Sequence, residues 1–375
     1  MDFRIKFRWL LKTTLIPICF FGFVSNELGA EWVELIKNSS PLGVASTYFW
    51  SGIEFDNRLF GGTHNNFQIW SYPPKSLEKN LPSGETVFSF CVHKGKLYCS
   101  NESRQVLRFD GSNNWTITLD ATSGNISGTT IACFFGLVSF RGSLYLKAFD
   151  WGEGAVRQSF YLFKLQDDGT WTLVYSTNRS ELTTFIYKGE LYSAGKDAPI
   201  DNIRGIDYDA RAVVTRLTSN GIFNPEAVPA LRTSNYSYYT FGYNDPGSGY
   251  LILGLGSPKS LRYAAGTRAE IYLYDGDSPP RKVLTDTNLY KFTDALRVGK
   301  KLYVLGDMGY EAEAARGKSR LYETTDLVHW TLTKEFDFPC ATALVNFHGV
   351  PVVFGGNGDV HGGGYSIIVA SSQVR

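Results

Sequence analysis

Four carboxylates recur at one kind of place in this chain of 375 residues. Asp150, Asp197, Asp307 and Asp359 each stand in a polar loop that follows an apolar run. Each has company. Asp150 and Glu153 flank Trp151, with Arg157 beyond; Asp201 and Arg204 follow Asp197; Tyr310, Glu311 and Glu313 follow Asp307; His361 follows Asp359 among glycines. His64, after Gly61-Gly62, is a fifth position of the same kind. Carboxylates, imidazoles and aromatic rings drawn together can bind a sugar, hold a divalent cation, or supply a general acid and a general base. The candidate ligand-binding set is His64, Asp150, Glu153, Asp197, Arg204, Asp307, Glu311, Asp359 and His361. The same residue types also cap turns, because a loop Asp accepts hydrogen bonds from nearby backbone N–H groups.

Other chemistries lack their signatures. No Gly-x-Ser-x-Gly elbow is present. The glycines at 355–356 and 362–364 have no strand–loop–helix context for a phosphate cradle. No cysteine spacing matches a zinc site, and no resident cofactor is expected, although a central divalent cation stays open. Net charge is +1, from 37 basic and 36 acidic residues, without a long basic run after residue 30, which argues against nucleic acid.

The elements that must position these residues show a period. Lys94-Gly95-Lys96-Leu97-Tyr98 recurs as Arg141-Gly142-Ser143-Leu144-Tyr145 and Lys188-Gly189-Glu190-Leu191-Tyr192. Looser copies centre on Gly249, Gly299 and Gly349, and an opening copy has Asn57. Each lies between apolar runs and reads as a hairpin turn, where Gly or Asn accepts positive φ. The spacings along 57, 95, 142, 189, 249, 299 and 349 are 38, 47, 47, 60, 50 and 50. A period near fifty with one hairpin per unit marks a repeat architecture. Composition agrees: 38 Gly, 26 Phe and 22 Tyr favour strands and turns.

The second unit shows the full pattern, with strands predicted at 87–93, 96–100, 105–110 and 115–119; the third repeats it. The last unit, from 338, has only three strands, while Trp32-Val33-Glu34-Leu35 has the form of the fourth strands that begin at Trp115, Trp171 and Trp330. The expectation is therefore an all-β fold: a seven-bladed β-propeller with four-stranded blades, closed by the strand at 31–37 completing the last blade. Six or eight blades stay open at the first unit and at the long fourth and fifth. The tight turns then lie on one face of the ring, and the long loops carrying the candidate residues on the other.

The strand ends Leu302-Tyr303-Val304-Leu305-Gly306-Asp307 and Val352-Val353-Phe354-Gly355-Gly356 resemble kelch-type blades. The turns Asp110-Gly111-Ser112-Asn113-Asn114-Trp115 and Thr325-Asp326-Leu327-Val328-His329-Trp330 are similar to degenerate Asp-boxes of sialidase-type propellers. The resemblance covers most of residues 31–375 and implies blades rather than a chemistry. The Arg-Ile-Pro motif of sialidases is absent after residue 30.

Residues 1–30 read as a secretory signal: Arg4, Lys6, Arg8 and Lys12, an apolar stretch at 15–24, and Ala30 at its end. Residues 31–375 are then one exported domain, extracellular or periplasmic, without a membrane span once the signal is removed. Its expected partner is an extracellular glycan or protein. Alternatives are a glycoside hydrolase or lyase with a carboxylate pair from Asp150, Asp197, Asp307 and Asp359, and a protein-interaction scaffold. Two further expectations concern modification. Cys91 and Cys99 flank the turn at 94–96 symmetrically, so a three-residue loop would set them opposite each other, as a disulfide or as two buried thiols. Sequons at Asn101, Asn114, Asn125, Asn178 and Asn235 matter as glycosylation sites in a eukaryotic secretory pathway and in a bacterium read only as exposed turns.

Overall fold

The computed structural model describes residues 31–39, 48–64, 68–80, 86–122, 125–126, 128–150, 159–197, 211–233, 237–256, 268–308, 317–358 and 364–372. The fold is all-β, and among the described residues there is one short 3-10 helix, at Pro229–Leu231. Every pairing between strands is antiparallel. Among the described residues there are five four-stranded sheets, one eight-stranded sheet and a two-stranded ladder. A single pair, Gly256 with Lys291, joins the halves of the eight-stranded sheet, and each half repeats the four-stranded order.

The first strand of each unit contacts the first strand of the next. Phe49–Phe55 touches Val87–His93, and the chain of contacts runs on through Cys133–Phe140, Ser180–Tyr187, Tyr238–Asn244, Lys291–Val298 and Cys340–Phe347. Cys340–Phe347 then touches Phe49–Phe55, so the first strands form a closed ring. The strand Trp32–Ser39 pairs with Tyr365–Ser371, joining the first described strand to the last.

Local chemistry explains the hairpins. At Lys94-Gly95, Arg141-Gly142 and Lys188-Gly189 both turn residues have positive φ, 46° at each cation and 72–75° at each glycine. That is the type I′ turn, whose twist matches the strands it joins. The fifth unit solves the same problem differently. Asp245, fully buried, accepts hydrogen bonds from Gly247 N and Ser248 Oγ and is held by Arg297 Nε at 2.5 Å and Nη2 at 2.6 Å. Burial then grades outward. Val350–Gly356, a second strand, is buried along its whole length, whereas the outer strand Ile222–Ala227 is almost wholly exposed.

The turn at 94–95 decides between the two cysteine readings in favour of buried thiols. It holds two residues, not three, so His93 pairs with Lys96 and Cys99 faces Phe90 rather than Cys91. A one-residue offset sends side chains to opposite sheet faces. Cys91 packs against Leu137 and Leu146 of the next unit, Cys99 against Phe60 and Leu107. Both are free and buried, and burial pushes the Cys91 thiol up to about 11. Asn101 corrects the sequon expectation. It is 0% exposed, and its side chain accepts from Gln105 N at 2.8 Å.

Candidate functional site

The ends of the second strands and the starts of the first strands share one end of the ring. Each first strand carries a bulge close to that end. The pairing shifts between Phe49 and Ser51, Val87 and Ser89, Phe134 and Gly136, Ser180 and Thr183, Tyr239 and Phe241, Phe292 and Asp294, and Ala341 and Ala343. The inserted residue belongs to no ladder pair, and bulges re-aim side chains.

In the first three units that residue is aromatic: Trp50, Phe88 and Phe135, all partly exposed. Phe88 stacks on Phe135 with centroids 4.8 Å apart. Trp50 meets Phe88 edge-on at 5.4 Å and Phe135 at 6.2 Å. The His64 ring stacks on Tyr48 at 4.7 Å and on Trp50 at 5.4 Å, and its backbone N donates to Tyr48 O at 2.8 Å. The result is a continuous aromatic arc with an imidazole at one end. Such rings offer flat apolar faces beside a polar tip.

A lysine closes the other end of the arc. Lys147 lies across Gly136, where a Cβ would stand 2.6 Å from Lys147 Cε, and its Nζ is 5.7 Å from the Phe135 ring centre. It is 6% exposed, and burial lowers its amine to about 7, with the charge of Glu181 acting the other way. Glu181, 0% exposed, sits in the bulge of the fourth unit. Its Oε1 accepts from Tyr175 Oη at 2.9 Å and Thr215 Oγ1 at 3.2 Å, and burial raises its carboxyl.

The last three units put threonine in the bulge, and each hydroxyl binds the next unit. Thr240 Oγ1 donates to Phe292 O at 2.5 Å, Thr293 Oγ1 to Ala341 O at 2.7 Å, and Thr342 Oγ1 to Phe49 O at 2.5 Å. Beside this arc stands Asp294, partly exposed. It accepts from Ala295 N at 2.8 Å and Leu344 N at 2.7 Å, and burial raises its carboxyl to about 7.

Of the candidate residues that are described, His64 alone joins the aromatic arc. Asp150 ends the strand Ser143–Asp150, opposite Ser159. Asp197 is committed to its own loop, accepting from Arg211 N at 2.9 Å and Arg232 Nη2 at 2.5 Å. Asp307 is 2% exposed, with Lys291 Nζ 3.9 Å from Oδ2. Glu153, Arg204, Glu311, Asp359 and His361 lie outside the described residues. Among the described residues no three His, Cys, Asp or Glu side chains are placed to hold a metal ion. The turns likened to Asp-boxes are structural. Asp326 Oδ1 accepts from Val328 N at 2.9 Å and His329 N at 2.8 Å, and its Oδ2 lies 2.7 Å from His329 Nδ1; these contacts hold its carboxyl far below the usual range.

Sequence reasoning missed Trp50, Phe88, Phe135, Lys147, Glu181 and Asp294 as a group. One signal was present. Trp50, Phe88, Phe135 and Thr342 stand at one common distance ahead of Asn57, Gly95, Gly142 and Gly349, so aligning the turns aligns the bulges.

No protein-family model matches the chain, and no curated protein matches it in sequence. Its structure is similar to that of YCF48 bound to a D1 peptide, with a TM-score of 0.55 and 11% identity over 92% of this chain and 97% of that one. It is also similar to oligogalacturonate lyase in complex with manganese, with a TM-score of 0.53 and 13% identity over 91% of this chain and 97% of that one. Both neighbours are β-propeller-like, and at such identities the likeness concerns the fold alone.

Proposed function

We propose that the chain is an exported seven-bladed β-propeller that binds an extracellular glycan on its loop-rich face. The observation that carries this reading is the partly exposed arc of Trp50, Phe88 and Phe135, with His64 and Lys147 at its ends. The apolar face of a pyranose stacks on such rings, while the partly exposed imidazole supplies a hydrogen bond to a hydroxyl. The repeated sheet order and the closed ring of first strands support the blade count. Export rests on the pattern of residues 1–30. No helix among the described residues is long and apolar enough to cross a membrane.

The neighbours point in two directions, one bound to a peptide and one a lyase with manganese. The aromatic arc favours binding over turnover, because Asp197 is engaged by Arg211 and Arg232 and Asp307 is buried beside Lys291. The test is a glycan array, followed by titration of the best hit with tryptophan fluorescence as the readout. Wild type should bind, and Trp50→Ala should lose at least tenfold in affinity at an unchanged melting temperature. An array without hits, with a protein ligand captured on the same face, would replace this reading by the interaction scaffold. Cleavage of an array glycan would replace it by the enzyme.

A further inference from the structure

Among the described residues, the outer strand of each unit is paired on one side only, and an unpaired edge is a template for another strand. Five of the outer strands carry a charge or a proline within their length. Lys79 does so in Ser76–Asn80, Pro225 and Glu226 in Ile222–Ala227, and Arg281 and Lys282 in Arg281–Asp286. Lys334 and Glu335 do so in Thr331–Phe336, and Glu34 and Lys37 in Trp32–Ser39. The outer strands of the second and third units differ. Trp115–Asp120 has no charge before its last residue, and Trp171–Thr177 has none at all. Their exposed positions include Thr116, Thr118 and Thr172, with Ile117 at 47% and Leu173 at 41% exposure. A bulge near the outer strand is common to all seven pairings, so it does not compensate for the missing charges.

The sequons fall beside these two strands. Asn114 immediately precedes Trp115–Asp120, and Asn178 immediately follows Trp171–Thr177. Both asparagines are exposed, whereas the Asn101 side chain is buried and hydrogen-bonded to Gln105. We infer that Asn114 and Asn178 carry N-linked glycans that shield the two uncharged edges from strand addition. This rests on the export reading above. In the transfer, Asn Nδ2 forms a bond to the anomeric carbon of an oligosaccharide carried on a polyprenyl diphosphate. The bond from that carbon to the diphosphate oxygen breaks, and the amide gives up one proton. A hydrated oligosaccharide at a strand end excludes a second backbone from the edge, as lysine or proline does elsewhere in the ring.

The test is production of the full chain in a eukaryotic secretory host. Peptide mass spectrometry of protein from the medium should find Asn114 and Asn178 modified and Asn101 bare. Asn114→Gln with Asn178→Gln should raise the self-associated fraction several-fold in light scattering. Ile117→Lys and Leu173→Lys, added to that variant, should return it to the monomer. Enzymatic removal of the glycans from folded wild type gives the same readout without a change of sequence. Protein in the medium with bare Asn114 and Asn178, or a deglycosylated protein as monodisperse as wild type, would overturn this inference alone. Protein retained in the cells without glycans would overturn the export reading with it.

Discussion

Two arcs of one ring use the same backbone device for opposite ends. In the first three units the bulge presents Trp50, Phe88 and Phe135, which touch one another and stay partly exposed. In the last three it presents Thr240, Thr293 and Thr342, whose hydroxyls are spent on the carbonyl of the neighbouring strand. A hydroxyl that donates across an interface ties two units together and leaves little for a ligand. A ring edge in the same place ties units less specifically and leaves a face open. The contrast teaches that the scaffold fixes where a side chain is shown, and residue type decides whether it is used for cohesion or for recognition. Lys147 and Glu181 stand on the boundary between the arcs, a buried amine and a buried carboxyl in place of either solution.

The boundary gives the largest expected effect. Lys147→Met removes an amine whose charge interacts with that of Glu181 in a buried site and should lower stability by about 2–3 kcal/mol, read by urea denaturation. Lys147→Met combined with Glu181→Leu should regain most of that loss, because a buried pair replaced by apolar groups is often neutral. A double variant as unstable as the single one would show that the two charges are not coupled.

The arcs themselves can be exchanged. Thr293→Val removes the donor to Ala341 O and should cost about 1–2 kcal/mol in stability with glycan affinity unchanged. Phe88→Thr should do the reverse, lowering affinity roughly tenfold with a smaller loss of stability, in parallel titration and melting experiments. Equal effects of both changes on both readouts would dissolve the contrast.

A further comparison lies in the pH dependence. Asp294 has its folded value raised from 3.8 to about 7, so its contribution to stability is full below 3.8 and is lost as pH rises towards 7. Lys147 has its folded value lowered from 10.5 to about 7, so its contribution is full above 10.5 and is lost as pH falls towards 7. The difference in melting temperature between wild type and Asp294→Asn should therefore change between pH 4 and 7, and that between wild type and Lys147→Met between pH 7 and 10. A flat difference in either window would remove that group from the account.

The all-β character and the hairpins were legible because their cause is local. Gly95, Gly142 and Gly189 stand where positive φ is required, and a turn advertises itself in four residues. The aromatic arc was not legible in the same way. A bulge is a property of how two strands register, so nothing in Val87-Phe88-Ser89 alone says that Phe88 leaves the ladder. Lys147 needed knowledge of Gly136, which faces it only once the strands are paired. Asp197 looked like a site residue because Arg232, which holds it, comes much later in the chain. Cys91 and Cys99 turned on one residue of loop length, and with side chains alternating along a strand, that residue decided the face.

The pairing of Trp32–Ser39 with Tyr365–Ser371 has a kinetic meaning. Those strands are among the most distant in sequence that the fold brings into register, so their union closes a very long loop. Synthesis delivers Trp32 well before Ser371. Until then Trp32–Ser39 has no edge to join. The ring is therefore a clasp that shuts late. Its folding rate should be governed by this one long-range contact rather than by any hairpin.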